Sequence, residues 1–214
     1  MKKLLLLVGI TVAMATGTYA HAQFIYMDTN GDGLPSCFGG GTYDILYSSV
    51  TTVDIWLNTN HNADGSTASC SAQTGQPLDM FSYSLLFRSF GSGSVAYDGW
   101  TNAASGFAAT TPFTHAGTDA GTDWTSQGAI FAPGLYKLGS ISVTVTGTPG
   151  LRFLTDNTES PGISTVLTGF GSTCDGTTYP NTVALGVDFY DNCGTITATP
   201  TEATTWGKIK QVYR

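Results

Sequence analysis

Two short stretches carry oxygen donors at the spacing of a calcium loop. Asp28-Thr29-Asn30-Gly31-Asp32-Gly33 places Asp28, Asn30 and Asp32 at alternate positions ahead of a glycine. Asn60, Asn62 and Asp64 repeat the arrangement ahead of Gly65. Such loops set hard oxygen ligands at positions 1, 3 and 5 and turn sharply at a glycine in position 6. The twelfth position, where a bidentate Glu is expected, falls on Gly39 and Ser71. Neither loop is flanked by helical periodicity, so neither is an EF-hand. A structural calcium ion would here rest on a β scaffold and borrow a ligand from elsewhere, with Asp44 and Asp79 as candidates. The same residues also make good turns without metal, because Asx side chains bond their own backbone.

Other chemistry is sparse. The chain has no G-x-S-x-G and no H-E-x-x-H, and no Cys/His arrangement suggests a nucleophile. A glycosidase needs two carboxyl groups across a sugar. Thirteen of the 15 acidic residues are Asp; the two Glu, Glu159 and Glu202, lie in a turn and in the C-terminal tail. No catalytic residue is therefore assigned and a non-enzyme is expected. A binding module needs only flat aromatic faces, and Trp56, Trp100 and Trp124 are the candidate ligand-binding residues, with Tyr97 and Tyr136 beside them. For any single one of them the favoured reading is ordinary core or edge packing.

The elements that would carry these residues are short strands. In Thr51–Asn58, Val53, Ile55 and Leu57 alternate with Asp54, Trp56 and Asn58, the period of a strand with one face on a core. Phe24–Met27, Tyr43–Tyr47, Met80–Phe87, Val95–Trp100, Ala129–Phe131, Gly134–Val145, Leu151–Leu154, Thr165–Phe170 and Val183–Phe189 read as further strands. The alternation in Gly134–Val145 breaks beside Gly139, which suits a bulge. Thr148-Pro149-Gly150 reads as a turn. Residues 101–128, rich in Ala, Gly, Thr and Asn, read as a long loop or loosely paired edge segments. Nine or ten short strands with turns between them predict an all-β, two-layer antiparallel sandwich of jelly-roll type.

Residues 1–22 have the form of a signal peptide: Lys2 and Lys3, the apolar run Leu4–Met14, and Ala20-His21-Ala22 before Gln23. The formal charge is −7, an acidity that disfavours nucleic acid and anionic membranes as partners. No later run is apolar enough to span a bilayer. Four cysteines, Cys37, Cys70, Cys174 and Cys193, predict two disulfides in an exported chain. The favoured pairing is Cys37 with Cys70, stapling the two Asx loops, and Cys174 with Cys193. Zinc is a weak alternative, since no C-x-x-C occurs and only His61 and His115 follow the signal segment. The sandwich is expected over residues 23–194. Beyond it, Thr195–Thr205 reads as a Thr/Pro spacer and Trp206–Arg214 as a basic, aromatic tail. That tail is either a sorting signal or a segment pinned on the sandwich.

The succession VDIWLN, Asx loop, FSYSLLF, a strand ending YDGW, an irregular stretch, GLYKLGSISVTV and LRFL spans Thr51 to Leu154. It resembles cohesin domains and the related carbohydrate-binding sandwich superfamily. The pairing of D-T-N-G-D-G with a W-G-x-I-K terminus also resembles a group of secreted bacterial proteins. The cohesin likeness implies a nine-stranded jelly roll and a non-catalytic binding or scaffold role in extracellular polysaccharide-binding or polysaccharide-degrading assemblies. The partner would be an extracellular protein or a polysaccharide. Dockerins, the partners of cohesins, carry D-x-N-x-D-G loops in helical repeats, which this chain lacks. The alternatives are a structural surface or matrix protein delivered by its tail and, less favoured, a divergent hydrolase.

Overall fold

A computed structural model describes residues 24–35, 44–62, 65–70, 76–154, 160–163 and 168–175, and the backbone of 195–197. Among these residues eight strands form one antiparallel sheet: β1 (Phe24–Asp28), β2 (Thr52–Asn58), β3 (Ser82–Asn102), β4 (Ala108–Ala116), β5 (Asp119–Thr125), β6 (Leu135–Phe153), β7 (Gly169–Gly171) and β8 (Thr195–Thr197). Their order is β1-β2-β6-β3-β5-β4, with β7 on β3 and β8 on β6. The described residues contain no α-helix, only two 3₁₀ turns at Pro161–Ile163 and Thr173–Asp175. The expected all-β class holds.

Two long strands turn this sheet into a sandwich. The first part of β3, Ser82–Arg88, pairs with β5, and the stretch Phe87–Asn102 pairs with β6. The first part of β6 pairs with β2 and its later part with β3. One layer therefore holds β1, β2, the start of β6 and the end of β3. The other holds the start of β3 with β5, β4 and β7. Val53, Ile55, Leu57, Val95, Ile141 and Val143 of the first layer bury against Tyr83, Leu85, Phe87 and Ala120 of the second. Hydrogen bonds also cross the core: Tyr83 Oη donates to Asn102 Oδ1 at 2.7 Å, and Tyr97 Oη donates to the Thr118 carbonyl at 2.9 Å.

Several expected boundaries move. Met80–Phe87 and Val95–Trp100 belong to the single strand β3, and Gly134–Val145 and Leu151–Leu154 to the single strand β6. Thr148-Pro149-Gly150 is not a turn: it pairs with Phe90–Ser92 in the ladder. Gly93 lets the chain bend there. Its φ is +142°, and a Cβ would lie 2.2 Å from the Thr146 carbonyl oxygen, so no other residue fits. Residues 101–128 contain a real hairpin, β4 and β5. The bulge beside Gly139 is present, because Ile55 faces Gly139 while Trp56 faces Lys137, leaving Leu138 extra. Of Tyr43–Tyr47 the described residues, 44–47, hold only a bridge at Ile45, and Ala129–Phe131 shrinks to an isolated bridge at Phe131. Of Thr165–Phe170, Gly169 and Phe170 belong to β7, while residues 165–167 lie outside the described residues. The sheet reaches into the expected spacer, since Thr195–Thr197 pairs with Gly150–Arg152. The signal segment, Val183–Phe189 and Trp206–Arg214 lie outside the described residues.

The disulfide pairing is corrected. Cys70 is bonded to Cys174, with their Cα atoms 5.6 Å apart. Neighbouring position in the chain misled the expectation, because the sandwich brings together residues 104 apart in sequence. Asp79 fixes the Cys174 end. Its carboxylate accepts the Thr173 N–H at 2.7 Å and the hydroxyls of Ser172 and Thr173 at 2.7 and 2.6 Å. Cys37 and Cys193 lie outside the described residues.

Candidate binding face beside the acidic turn

β1 ends at Asp28, and the chain turns at once. The buried Asp28 carboxylate organises that turn. Its Oδ1 accepts the N–H groups of Asn30 at 3.1 Å and Gly31 at 2.6 Å, and its Oδ2 accepts that of Gly33 at 2.8 Å. Asn30 Oδ1 accepts the Asp32 N–H at 2.9 Å, and Asp32 Oδ1 accepts the Leu34 N–H at 2.8 Å. Each Asx residue of the motif thus bonds its own backbone.

A second carboxylate closes on the turn from residue 44. Asp44 Oδ1 accepts the Thr29 N–H at 2.7 Å, and Thr29 Oγ1 accepts the Ile45 N–H at 3.0 Å. Of the two residues proposed as a borrowed ligand, Asp44 is beside the Asp28 turn, while Asp79 is engaged at the disulfide. Tyr26 lies beneath and donates from Oη to the Gly33 carbonyl at 2.6 Å. Burial raises its phenol pKa well above the ordinary value, and the charges of Asp28, Asp32 and Asp44 raise it further. One phenol thus senses three carboxylates. A fourth, Asp54, stands opposite Asp28 across the β1–β2 pair and is neutralised by Lys137 Nζ at 2.5 Å. Among the described residues no three His, Cys, Asp or Glu side chains converge closely enough to hold a metal alone. A cation here would also need Asn30 and backbone oxygens. That all-oxygen set suits calcium and not zinc.

The second Asx turn is built differently. Asn58, not one of the motif residues, accepts the N–H groups of Asn60 and His61 at 3.1 and 3.0 Å. Asn62 Nδ2 donates to Ser66 Oγ at 2.7 Å, and the Asn62 Oδ1 is buried with no hydrogen-bond partner among the described residues. Asp64 lies outside the described residues. The two turns do not meet. Asp28 pairs with Asp54 and Phe24 with Asn58, so the turns leave opposite ends of the strand pair, about 13 Å apart along β2.

The three tryptophans are separate and each is packed. Trp56 faces away from the core, as its alternation with Ile55 and Leu57 requires. It stacks on Tyr26 with centroids 6.3 Å apart and lies against Gly33. Trp100 covers Gly139 at the margin of the core. Trp124 stacks on Tyr83 at 6.3 Å and donates from Nε1 to Thr122 Oγ1 at 2.9 Å. Tyr97 is buried, Tyr136 is half-buried, and His61 and His115 are exposed.

The exposed aromatic of this face is one that the pattern of the chain did not single out. Tyr47 is 51% exposed in the segment between the acidic turn and β2. It stands on a tight turn in which the Val50 N–H donates to its carbonyl at 2.9 Å. Beside it runs an open groove of about 520 Å³ lined by Thr29, Asn30, Ile45, Tyr47, Val50 and Thr52, among others. The available signal was the run Tyr47-Ser48-Ser49-Val50-Thr51-Thr52, an aromatic followed by hydroxyls. Compared with protein-family models, curated proteins and solved structures, the chain matches none.

Proposed function

We propose that the protein is an extracellular, non-catalytic binding module whose groove beside Tyr47 holds a polysaccharide or a protein partner. In this reading a structural calcium ion stiffens the acidic turn. The observation that carries it is the groove itself: open, next to an exposed aromatic, and walled by a turn that Asp28 and Asp44 hold from two sides. Neither a carboxylate nor a histidine lines it among the described residues, which favours retention over turnover. A disulfide fits an oxidising compartment, and no helix among the described residues is long and apolar enough to cross a membrane. The sandwich and the aromatic groove together support the likeness to cohesin-type and carbohydrate-binding domains.

The test is retention. Purified protein is passed over insoluble polysaccharides and over extracellular extracts of its own source, with a hydrolase screen in parallel. Retention without release of sugar is expected. Release of soluble sugar would make the protein a hydrolase, and loss from every matrix would leave it a structural subunit.

A further inference from the structure

We infer that the ligand of this groove is an uncharged glycan chain, one sugar ring of which stacks on Tyr47. The inference rests on the binding reading above and names the ligand's chemistry. Three observations lead to it.

The groove carries polar groups but, among the described residues, no charged side chain. Its walls carry the hydroxyls of Ser49, Thr51 and Thr52, together with the apolar faces of Ile45 and Val50. No lining side chain among the described residues is ionic, so nothing there would pair a charged ligand group. Neutral hydroxyls facing a ligand call for neutral hydroxyls in return.

The polar groups are also available. Ser49, Thr51 and Thr52 are exposed, and their hydroxyls make no hydrogen bond within the described residues. Thr29, by contrast, is fixed by Asp44 and by the Ile45 N–H. The wall is therefore held in place while its outward hydroxyls stay free, the condition in which a ligand need not first order its site.

Tyr47 completes the set. Other aromatics of the sandwich pack on one another: Tyr26 stacks on Trp56, Tyr83 stacks on Trp124, and Phe107 lies tilted against Phe131. Tyr47 is held out by its turn with half its surface in water. An apolar ring face flanked by hydroxyls matches a sugar ring, which has an apolar C–H face and a hydroxyl rim. A groove of about 520 Å³ takes a short stretch of such a chain.

The test is calorimetric titration of the full secreted chain with cellohexaose, xylohexaose and mannohexaose, and with an oligogalacturonate as the anionic control. Binding of at least one neutral hexasaccharide and none of the anionic one is expected. Tyr47→Ala should weaken that binding about tenfold or more, while Tyr47→Phe keeps it within about threefold. Trp124→Phe should leave it unchanged. A thermal melt unchanged by Tyr47→Ala separates ring loss from misfolding. If the wild-type protein binds a neutral sugar and Tyr47→Ala binds equally well, the groove assignment is wrong and the binding reading survives. Preference for the oligogalacturonate overturns the uncharged ligand. Binding of none of the four oligosaccharides overturns the inference, and protein retained by an extracellular protein partner in the same state would leave the broader reading intact.

Discussion

Asp28 accepts three backbone N–H groups, whereas Asp32 accepts one at an exposed position. That difference separates turn chemistry from metal chemistry. Asp28→Ala removes three hydrogen bonds to a buried carboxylate and should cost about 2–3 kcal/mol in urea unfolding, with or without calcium. Asp32→Ala should cost under about 1 kcal/mol in chelator. If calcium binds, chelation lowers the melting temperature of the wild type by about 5 °C or more, and Asp32→Ala abolishes that shift. Equal melts with and without chelator would reject the ion. A second carboxylate sets the acid limit. Asp119 takes Arg88 in a two-pronged ion pair, Nε to Oδ1 at 2.8 Å and Nη2 to Oδ2 at 2.8 Å. The Arg88 bond holds its pKa below the ordinary carboxylate value, against an opposing effect of burial. A lowered folded pKa contributes stability that is present above the unfolded value, about 3.9, and is lost as pH falls through the folded one. Unfolding free energy should therefore drop below about pH 4, and Arg88→Gln should flatten that slope.

At the scale of elements, the close crossing of β3 and β6 is the least forgiving part. A Cβ on Gly139 would sit 2.2 Å from Trp100 Cζ2 and 2.5 Å from the Thr101 carbonyl oxygen. Gly139→Ala should cost about 3 kcal/mol or more, measured by denaturant unfolding, because backbone cannot yield as a side chain can. A loss within about 0.5 kcal/mol would show the crossing to be looser. The same elements show what the chain made legible. Val53, Ile55 and Leu57 announce β2 because one face is buried and the other is not. The bulge at Leu138 was readable because Gly139 breaks an otherwise regular alternation. The hairpin β4–β5 was not, since Ala, Thr and Gly bury little surface and leave no apolar period. Nor was the continuity of β3 across Gly91 and Gly93, which read as punctuation yet bend a paired strand. The acidic turn could be found from residue types alone; the groove could not. Tertiary contacts leave Tyr47 outside while they pack Trp56 on Tyr26, Trp100 on Gly139 and Trp124 on Tyr83, and no local pattern records that.

Over the whole molecule, the Cys70–Cys174 bridge ties the turn after β2 to the 3₁₀ turn after β7. It closes a span of 104 residues that includes β3 to β7. Replacing both cysteines by serine should lower stability by about 3–5 kcal/mol, read from unfolding under non-reducing conditions. An unchanged midpoint would mean that packing alone defines that end of the sandwich. The bridge, the buried tyrosine bonds and the acidic turn all stiffen the body beside the open Tyr47 groove. A structure of the protein soaked with a bound neutral hexasaccharide tests this most directly. The account predicts a sugar ring stacked on Tyr47, with its hydroxyls on Ser49, Thr51 and Thr52. Sugar seated on Trp56, Trp100 or Trp124, with the Tyr47 groove empty, would contradict it.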